Sequence, residues 1–391
     1  MIHPIPYGRQ SISEEDIASV ISTLKSDFLT QGPKIAEFEK KFAEYVGAKY
    51  AIAVSNGTAA LHLSVLALGL KPGQKVITTP ITFAASANCI LYADGEVAFA
   101  DIDPDSGVID LLQVKKLLES NPPDTFAGVI PVDFSGYPVN LELLRQLADE
   151  HGLWILEDAC HAPGGYFKDS NNNIVKCGSA TFSDVSVFSF HPVKHIATGE
   201  GGMITTNNLE LYEKLKILRT HGITREQNLF QLNTNEIEQG GWYYEMQELG
   251  YNYRMPDILA ALGVSQLSRA KEGIERRREI ARMYFNAFEN SNVTIMSKWK
   301  FESGHAYHLF VVKSNSRRNL YEKLKQNQIF AQVHYIPVHL MPFYQKKGFH
   351  SGMFPNAEKY YEEALSLPMF PSLTNEEVER VIGVVLEAVK T

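Results

Sequence analysis

Between residues 50 and 190 the chain repeats one pattern: a short apolar run, then a helix-length segment. The runs fall at 50–54, 75–79, 96–100, 128–132, 153–157 and 185–190. Strands separated in this way pair in parallel, with the intervening helices returning across the faces of the sheet, so the rhythm predicts an α/β fold with a mostly parallel central sheet. In such sheets ligands gather beyond the carboxyl ends of the strands, and the chemistry is sought there first.

Around this body, Ser13-Glu14-Glu15-Asp16 reads as a helix start followed by Ile17, Val20, Ile21 and Leu24 at helical spacing. Pro33 opens a second helix, closed by Gly47. The stretch 222–250 is polar, with Gly240-Gly241-Trp242-Tyr243-Tyr244 inside it, and a loop that long serves as a lid, a binding segment or a subunit contact. A long helical segment follows Pro256. It carries Arg276-Arg277-Arg278, expected as a solvated face. Strand-like runs at 308–312 and 331–335, and a helix from Thr374-Asn375-Glu376-Glu377, predict a smaller α+β part. The expected division is a large domain at 1–254 and a small C-terminal domain at 255–391.

With 391 residues, 45% hydrophobic and 21% charged, the chain has enough apolar material for a large core, and its net charge of −8 gives no general attraction for nucleic acid or anionic membrane. Cys89, Cys160 and Cys177 show no metal spacing and cannot all pair. The Met1 end lacks a signal-peptide pattern, and no segment approaches membrane-spanning length. The expectation is a cytoplasmic enzyme with no metal, acting on small molecules.

The run 186–190 leads to Lys194 and then to Gly199-Glu200-Gly201-Gly202, where the backbone can turn tightly. A lone lysine after a strand is most often a solvated loop residue. This one follows Ser189, whose hydroxyl can meet a phosphate, and His191, whose ring can donate or accept a hydrogen bond. A buried lysine has a depressed pKa, and its free amine can attack a carbonyl to form a Schiff base.

Three other strand ends carry matching chemistry. Ser55-Asn56-Gly57-Thr58 passes from a strand into a helix, and a helix N-terminus behind a Gly turn suits a phosphate; alone it is a plain cap. Phe83, in Thr82-Phe83-Ala84-Ala85-Ser86, could stack on a flat ring, although an aromatic there is more often core. Leu153-Trp154-Ile155-Leu156 ends in Glu157 and Asp158, and a carboxylate at that edge could hold a ring nitrogen protonated, as pyridoxal chemistry requires. Phosphate turn, aromatic plate, ring partner and lysine together are far less probable by chance than any one of them.

In order and spacing these stretches, with Gly250-Tyr251-Asn252-Tyr253-Arg254-Met255, resemble the DegT-type pyridoxal-phosphate-dependent nucleotide-sugar aminotransferases over nearly the whole chain. The resemblance implies the aspartate-aminotransferase fold, pyridoxal 5′-phosphate as cofactor, L-glutamate as amino donor and a homodimer with shared active sites. It makes Lys194 the lysine bonded to the cofactor and Asp158 the partner of the ring nitrogen. Phe83 and His161 lie on the two sides of the ring, Gly57, Thr58 and Ser189 hold the phosphate, and Asn252 reaches the neighbouring subunit's cofactor. His191 and His334 line the sugar-nucleotide entrance. Within the family, residues 241–250 and 332–339 look most like the branch that aminates C4 of a UDP-linked 4-keto-6-deoxy-N-acetyl-L-altrosamine, in pseudaminic acid biosynthesis.

The alternatives are a pyridoxal-dependent sugar dehydratase, which in this family has histidine in place of the lysine, and an aminotransferase for another nucleotide keto-sugar. A non-catalytic pyridoxal-binding regulator would need a DNA-binding segment that this acidic chain does not offer. A nicotinamide enzyme is weaker still, since the turn after Val54 lacks Gly-x-Gly-x-x-Gly.

Overall fold

The computed structural model describes residues 3–232, 240–296 and 304–389. Nine strands precede the polar stretch: β1 (Tyr50–Val54), β2 (Lys75–Thr78), β3 (Glu96–Phe99), β4 (Phe126–Ile130), β5 (Trp154–Asp158), β6 (Tyr166–Lys168), β7 (Ile174–Lys176), β8 (Val185–Ser189) and β9 (Gly202–Thr206). All but the β6–β7 hairpin form one sheet in the order β1-β9-β8-β5-β4-β2-β3. From β3 to β8 every pairing is parallel, while β9 runs antiparallel to both β1 and β8.

The six expected strands are present, with edges moved by a residue or two. The largest shift is at β4, which begins at Phe126 and holds Gly128 within it. Gly128 is no turn residue there, because the ring of Trp154 on the next strand occupies the space a Cβ would fill, 2.1 Å from it. The reversed strand β9 was not anticipated. It begins in the glycine cluster, and a Cβ on Gly202 would stand 2.5 Å from the Asn56 carbonyl, so a side chain there would push the strand off the turn after β1.

Period-two alternation decides what each strand offers to which face. Phe188 and Phe190 turn one way and meet Phe38 and Phe42 of the helix Pro33–Val46, with ring centroids 4.8 to 5.4 Å apart. Ser189 turns the other way, against Gly57. On β5, Glu157 and Asp158 are likewise divided. Burying each aromatic of this cluster contributes on the order of 2 kcal/mol, which anchors the strand that leads to Lys194.

The helix Glu14–Leu24 has the expected capping box between Ser13 and Asp16, and Gly47 ends the second helix at φ 84°. The apolar stripe of the first helix does not enter the core: Ile17, Ile21 and Leu24 are 43 to 54% exposed. The stretch 222–250 is in part a ribbon of β10 (Ile223–Thr224) against β11 (Glu245–Met246), with residues 233–239 of it outside the described residues. The buried Glu245 organises it, accepting from Gln231 N at 2.6 Å and Tyr243 OH at 3.0 Å.

The C-terminal part builds a three-stranded antiparallel sheet from β12 (Thr294–Ile295), β13 (Phe310–Lys313) and β14 (Ala364–Leu367). Residues 331–335 form no strand; Gln332 makes a single bridge to Ser366. The long helical segment after Pro256 is two helices, Asp257–Ser268 and Ala270–Phe288. The expected solvated face at 276–278 is a misreading. Arg277 is buried, and its Nη1 donates to the carbonyls of Tyr307, His308 and Met369 at 3.1, 3.3 and 2.9 Å. Three consecutive helical residues point three ways, and Arg277 shares its direction with the buried Ile274 and Ala281.

Candidate active site

A cavity of about 690 Å³ opens beyond the carboxyl ends of the parallel strands. Gly57, Thr58, Phe83, Asp158, His161, Ser189, His191, Lys194 and His334 all border it. Asn252 does not border the cavity of its own chain. It is exposed, and its neighbour Tyr253 lines the wall.

At one end the helix Gly57–Ala67 points its N-terminus inward. The Asn56 side chain caps it by accepting from Ala59 N at 2.8 Å, and the first N–H groups of a helix have no partner within it. A Cβ on Gly57 would lie 3.0 Å from Ser189 Cβ, so the bare glycine leaves a cradle that a side chain would fill. Backbone donors, a helix dipole and the Ser189 hydroxyl suit this end to a phosphate.

Asp158 closes the far wall. Ser86 Oγ donates to its Oδ2 at 2.6 Å and Cys160 N to its Oδ1 at 3.2 Å, so the buried carboxylate is held at both oxygens. Thr82 Oγ1 lies 2.8 Å from Ser86 Oγ and steadies that serine. Phe83 is 63% exposed, which is costly for a phenyl group and suits a face kept free for a flat ring.

His161 is buried opposite. Its Nδ1 accepts from Ser135 N at 3.2 Å, which leaves the proton on Nε2, 3.2 Å from Tyr335 OH. Ser135 aims that N–H from a left-handed backbone at φ 63°. Burial, with the nearby Lys194 cation, holds the imidazole well below its ordinary range and therefore neutral. Tyr335 accepts from it and keeps its own hydrogen for the cavity. His334 bonds through Nδ1 to Ser366 Oγ at 2.9 Å, and burial pushes its pKa down to about 3. His191 is exposed at the mouth.

Lys194 stands between these walls. Desolvation lowers its pKa from the ordinary lysine value to about 8, against the opposing pull of Cys160 and Asp158. At pH 7.5 roughly a quarter of such an amine is unprotonated, against about one in a thousand for a solvated lysine. Among the described residues no carboxylate pairs with Nζ; the partner it has is His308 Nε2 at 3.5 Å.

Ser86, Tyr335 and His308 were not singled out from the sequence. Ser86 lies three residues beyond Phe83 in a stretch already of interest, and Tyr335 follows His334 directly. His308 sits 114 residues from Lys194 with no local signal linking them.

Behind Asp158, on the other face of β5, Glu157 accepts from Ser186 Oγ at 2.5 Å and from Gly178 N at 3.1 Å. Asp133 and Cys177 lie beside it, and one ligand-type atom from each of the three falls within 4.8 Å of the others. Asp133 Oδ1 accepts from Val139 N at 2.9 Å, while Oδ2 is buried with no donor. Glu157 already receives donors, so the proton of this carboxylate pair belongs on Asp133. Burial and the neighbouring Glu157 hold that acid well above the usual carboxylate range.

A helix end suited to a phosphate, a held carboxylate and an amine of lowered pKa around one cavity match what a pyridoxal-phosphate-dependent aminotransferase needs. The chain belongs to the DegT/DnrJ/EryC1/StrS aminotransferase family, whose profile matches residues 10–386. It is 40% identical over 397 residues to the spore coat polysaccharide biosynthesis protein SpsC of Bacillus subtilis, covering 99% of this chain and 98% of the relative. It is 37% identical over 394 residues to a UDP-4-amino-4,6-dideoxy-N-acetyl-beta-L-altrosamine transaminase of Campylobacter jejuni, covering 99% and 98%.

Among solved structures, the Helicobacter pylori PseC, an aminotransferase involved in the biosynthesis of pseudoaminic acid, superposes with a TM-score of 0.88 at 31% identity, covering 99% of this chain and 100% of that one. Spr1654 of Streptococcus pneumoniae in its PLP-form gives 0.88 at 26% identity, covering 99% of both chains. The fold is thus that of the pyridoxal-phosphate aminotransferases, with a mostly parallel sheet flanked by helices. No helix among the described residues is long and apolar enough to cross a membrane.

Proposed function

We propose that this chain moves the amino group of L-glutamate to C4 of a UDP-linked 4-keto-6-deoxy-N-acetyl-hexosamine of the L-altrosamine type. The transfer runs in two halves: glutamate leaves its nitrogen on the enzyme and departs as the keto acid before the sugar enters. The observation that carries the reading is the desolvated amine of the half-buried Lys194, lowered to about 8, facing a cavity with an end suited to phosphate on one side and the held Asp158 carboxylate on the other.

Gly57, Thr58 and Ser189 would hold the phosphate of the cofactor, Asp158 its ring nitrogen, and Phe83 and His161 would flank its ring. Pyridoxal phosphate supplies a carbonyl carbon for amines and a ring that accepts electrons from the carbon that loses its proton. The chain supplies the rest. Lys194 Nζ takes the proton from the donor's Cα and returns it, because its lowered pKa lets it carry and release a proton near neutrality. Asp158, fixed by Ser86 and Cys160 N, keeps a negative charge where a positive ring nitrogen needs it. Tyr335 OH, steadied by His161, offers a donor toward the open cavity, and His191 and His334 border the sugar entrance.

Asn252 of the partner subunit completes the phosphate seat in this reading, which makes the working unit a homodimer. Its exposure and its absence from its own chain's cavity support that placement, as do the exposed Ile17, Ile21, Leu24 and Trp242, apolar surface of the kind subunit contacts cover. The working protein is cytoplasmic, binds neither nucleic acid nor membrane, and divides into a cofactor body at 1–254 and a smaller part at 255–391.

Retention of the lysine favours amino transfer over sugar dehydration, and the nearness of SpsC keeps a different nucleotide keto-sugar as the second reading. The test is to incubate the purified protein with glutamate and a panel of UDP-linked 4-keto and 3-keto sugars, then to identify products by mass and NMR. A C4-amino product from the L-altrosamine-type ketone alone supports the first reading, and amination of a different ketone the second.

A further inference from the structure

His308 belongs to none of the roles above, yet among the described residues it is the hydrogen-bond partner of the Lys194 amine. The ring is buried, 4% exposed, with Nε2 3.5 Å from Lys194 Nζ and Nδ1 buried without a partner. The chain goes to some length to hold it there. Tyr307, just before it, is a buried aromatic in the left-handed backbone region at φ 47°, a conformation that persists only where the surroundings enforce it. The guanidinium of Arg277 grips the carbonyls of both Tyr307 and His308, and Tyr307 N donates to His305 Nδ1 at 2.8 Å. The ring itself lies between His161, at 4.3 Å between centroids, and His195, at 5.6 Å.

The protonation of this row can be read from its bonds. His195 Nε2 donates to Ala306 O at 2.9 Å, and its Nδ1 is bare. His161 carries its proton on Nε2, facing Tyr335. The charged groups facing His308 are the cations Lys194 and Arg277, so burial and like charge hold its imidazole neutral. The ammonium form of the amine has only donors, so a neutral ring beside it presents a bare nitrogen to accept from it, which puts the proton of His308 on Nδ1.

We infer that His308 is the positioning residue of Lys194: its Nε2 accepts one N–H of the amine and so restricts the directions in which the nitrogen's lone pair can face, favouring the cavity. Kept neutral, the ring orients the amine without taking its proton, and Lys194 alone carries the proton in transfer. The inference rests on Lys194 being the amine that meets the cofactor, and the cofactor-free tests below stand apart from that reading.

In protein stripped of cofactor, the pH dependence of Lys194 modification by trinitrobenzenesulfonate, read by peptide mass, is expected to have its midpoint near 8. His308→Gln, which can still accept from the amine, keeps that midpoint. His308→Leu, which cannot, moves it down by about half a unit, since an acceptor stabilises the charged amine more than the neutral one. When cofactor is added back, the first-order step that closes the bond to Lys194 slows about tenfold in His308→Leu and recovers in His308→Gln. Equal midpoints and closure rates in all three proteins, with matching circular dichroism, would overturn the inference. A measurement on the unsubstituted protein guards against a variant that does not fold: nitrogen-15 histidine spectra should show His308 neutral with its proton on Nδ1 between pH 6 and 9, and a proton on Nε2 would overturn the inference equally.

Discussion

Ser86 Oγ and Asp158 Oδ2 stand 2.6 Å apart, a short bond between a helix-borne hydroxyl and a carboxylate at a strand end. The hydroxyl fixes the rotamer of the acid without neutralising it. Asp158→Asn is expected to lower kcat at least a hundredfold with only a modest loss of bound cofactor, because the charge goes while the shape stays. Ser86→Ala leaves the charge but frees its orientation, and a loss of about tenfold is expected. Steady-state kinetics with cofactor content measured beside them checks both. An Asn variant at near wild-type kcat would make Asp158 a structural cap.

Lys194 links the site to stability. In the unfolded chain its pKa is that of an ordinary lysine, and in the fold it is lowered to about 8. Well below pH 8 the amine is protonated in both states, so the full penalty of a desolvated charge acts on the fold; the penalty fades as pH rises through 8 toward 10.5. Cofactor-free protein should therefore gain stability across that window relative to Lys194→Met, and the variant should be the more stable of the two at pH 7, by about 1–3 kcal/mol. Urea titrations of both proteins at pH 7, 8.5 and 10 measure this.

Asp133 works with the opposite charge. Its folded pKa lies well above the unfolded carboxylate value. Whatever stability it contributes is complete below pH 4 and is lost as pH rises through the folded pKa, since the unfolded chain releases the proton first. Asp133→Asn retains a donor for Glu157 with no proton to lose, so the variant is expected to match the parent near pH 4 and exceed its Tm at pH 8. A fall in Tm at pH 8 would show that the proton sits elsewhere.

Arg277→Met should cost about 2–4 kcal/mol in urea unfolding, because three carbonyls lose their donor inside the protein. Local propensity could not have foretold this. Arginine is nearly always solvated, and Arg276-Arg277-Arg278 reads as a charged face until the partners of that helix are known. The same limit hid His308 and Tyr335, which reach the cavity from the C-terminal part of the chain. By contrast, four strands of the main sheet brought a candidate site residue with them: the turn after β1, Phe83 after β2, Asp158 at the end of β5 and Ser189 at the end of β8 were legible because strand ends converge in this class of sheet. What blurred the strands themselves was packing. Gly128 looks like a boundary and is a space for Trp154.

The shared site is open to a mixing experiment. Lys194→Ala subunits and Asn252→Ala subunits, each impaired alone, are dissociated and reassociated together. If Asn252 serves the partner's cofactor, one site in each mixed dimer collects both lesions and the other is whole, so activity is regained. Activity no higher than the parental average would place Asn252 in its own subunit's site.

Amino transfer at Lys194 is tested most directly by following the nitrogen. The protein is given nitrogen-15 glutamate and the UDP-linked 4-keto-6-deoxy sugar, and the sugar product is examined by mass and NMR in the parent and in Lys194→Ala. The expected result is one labelled nitrogen per sugar from the parent and none from the variant. A product that has lost a hydroxyl and gained no label, or equal labelling by the Lys194→Ala protein, would contradict it.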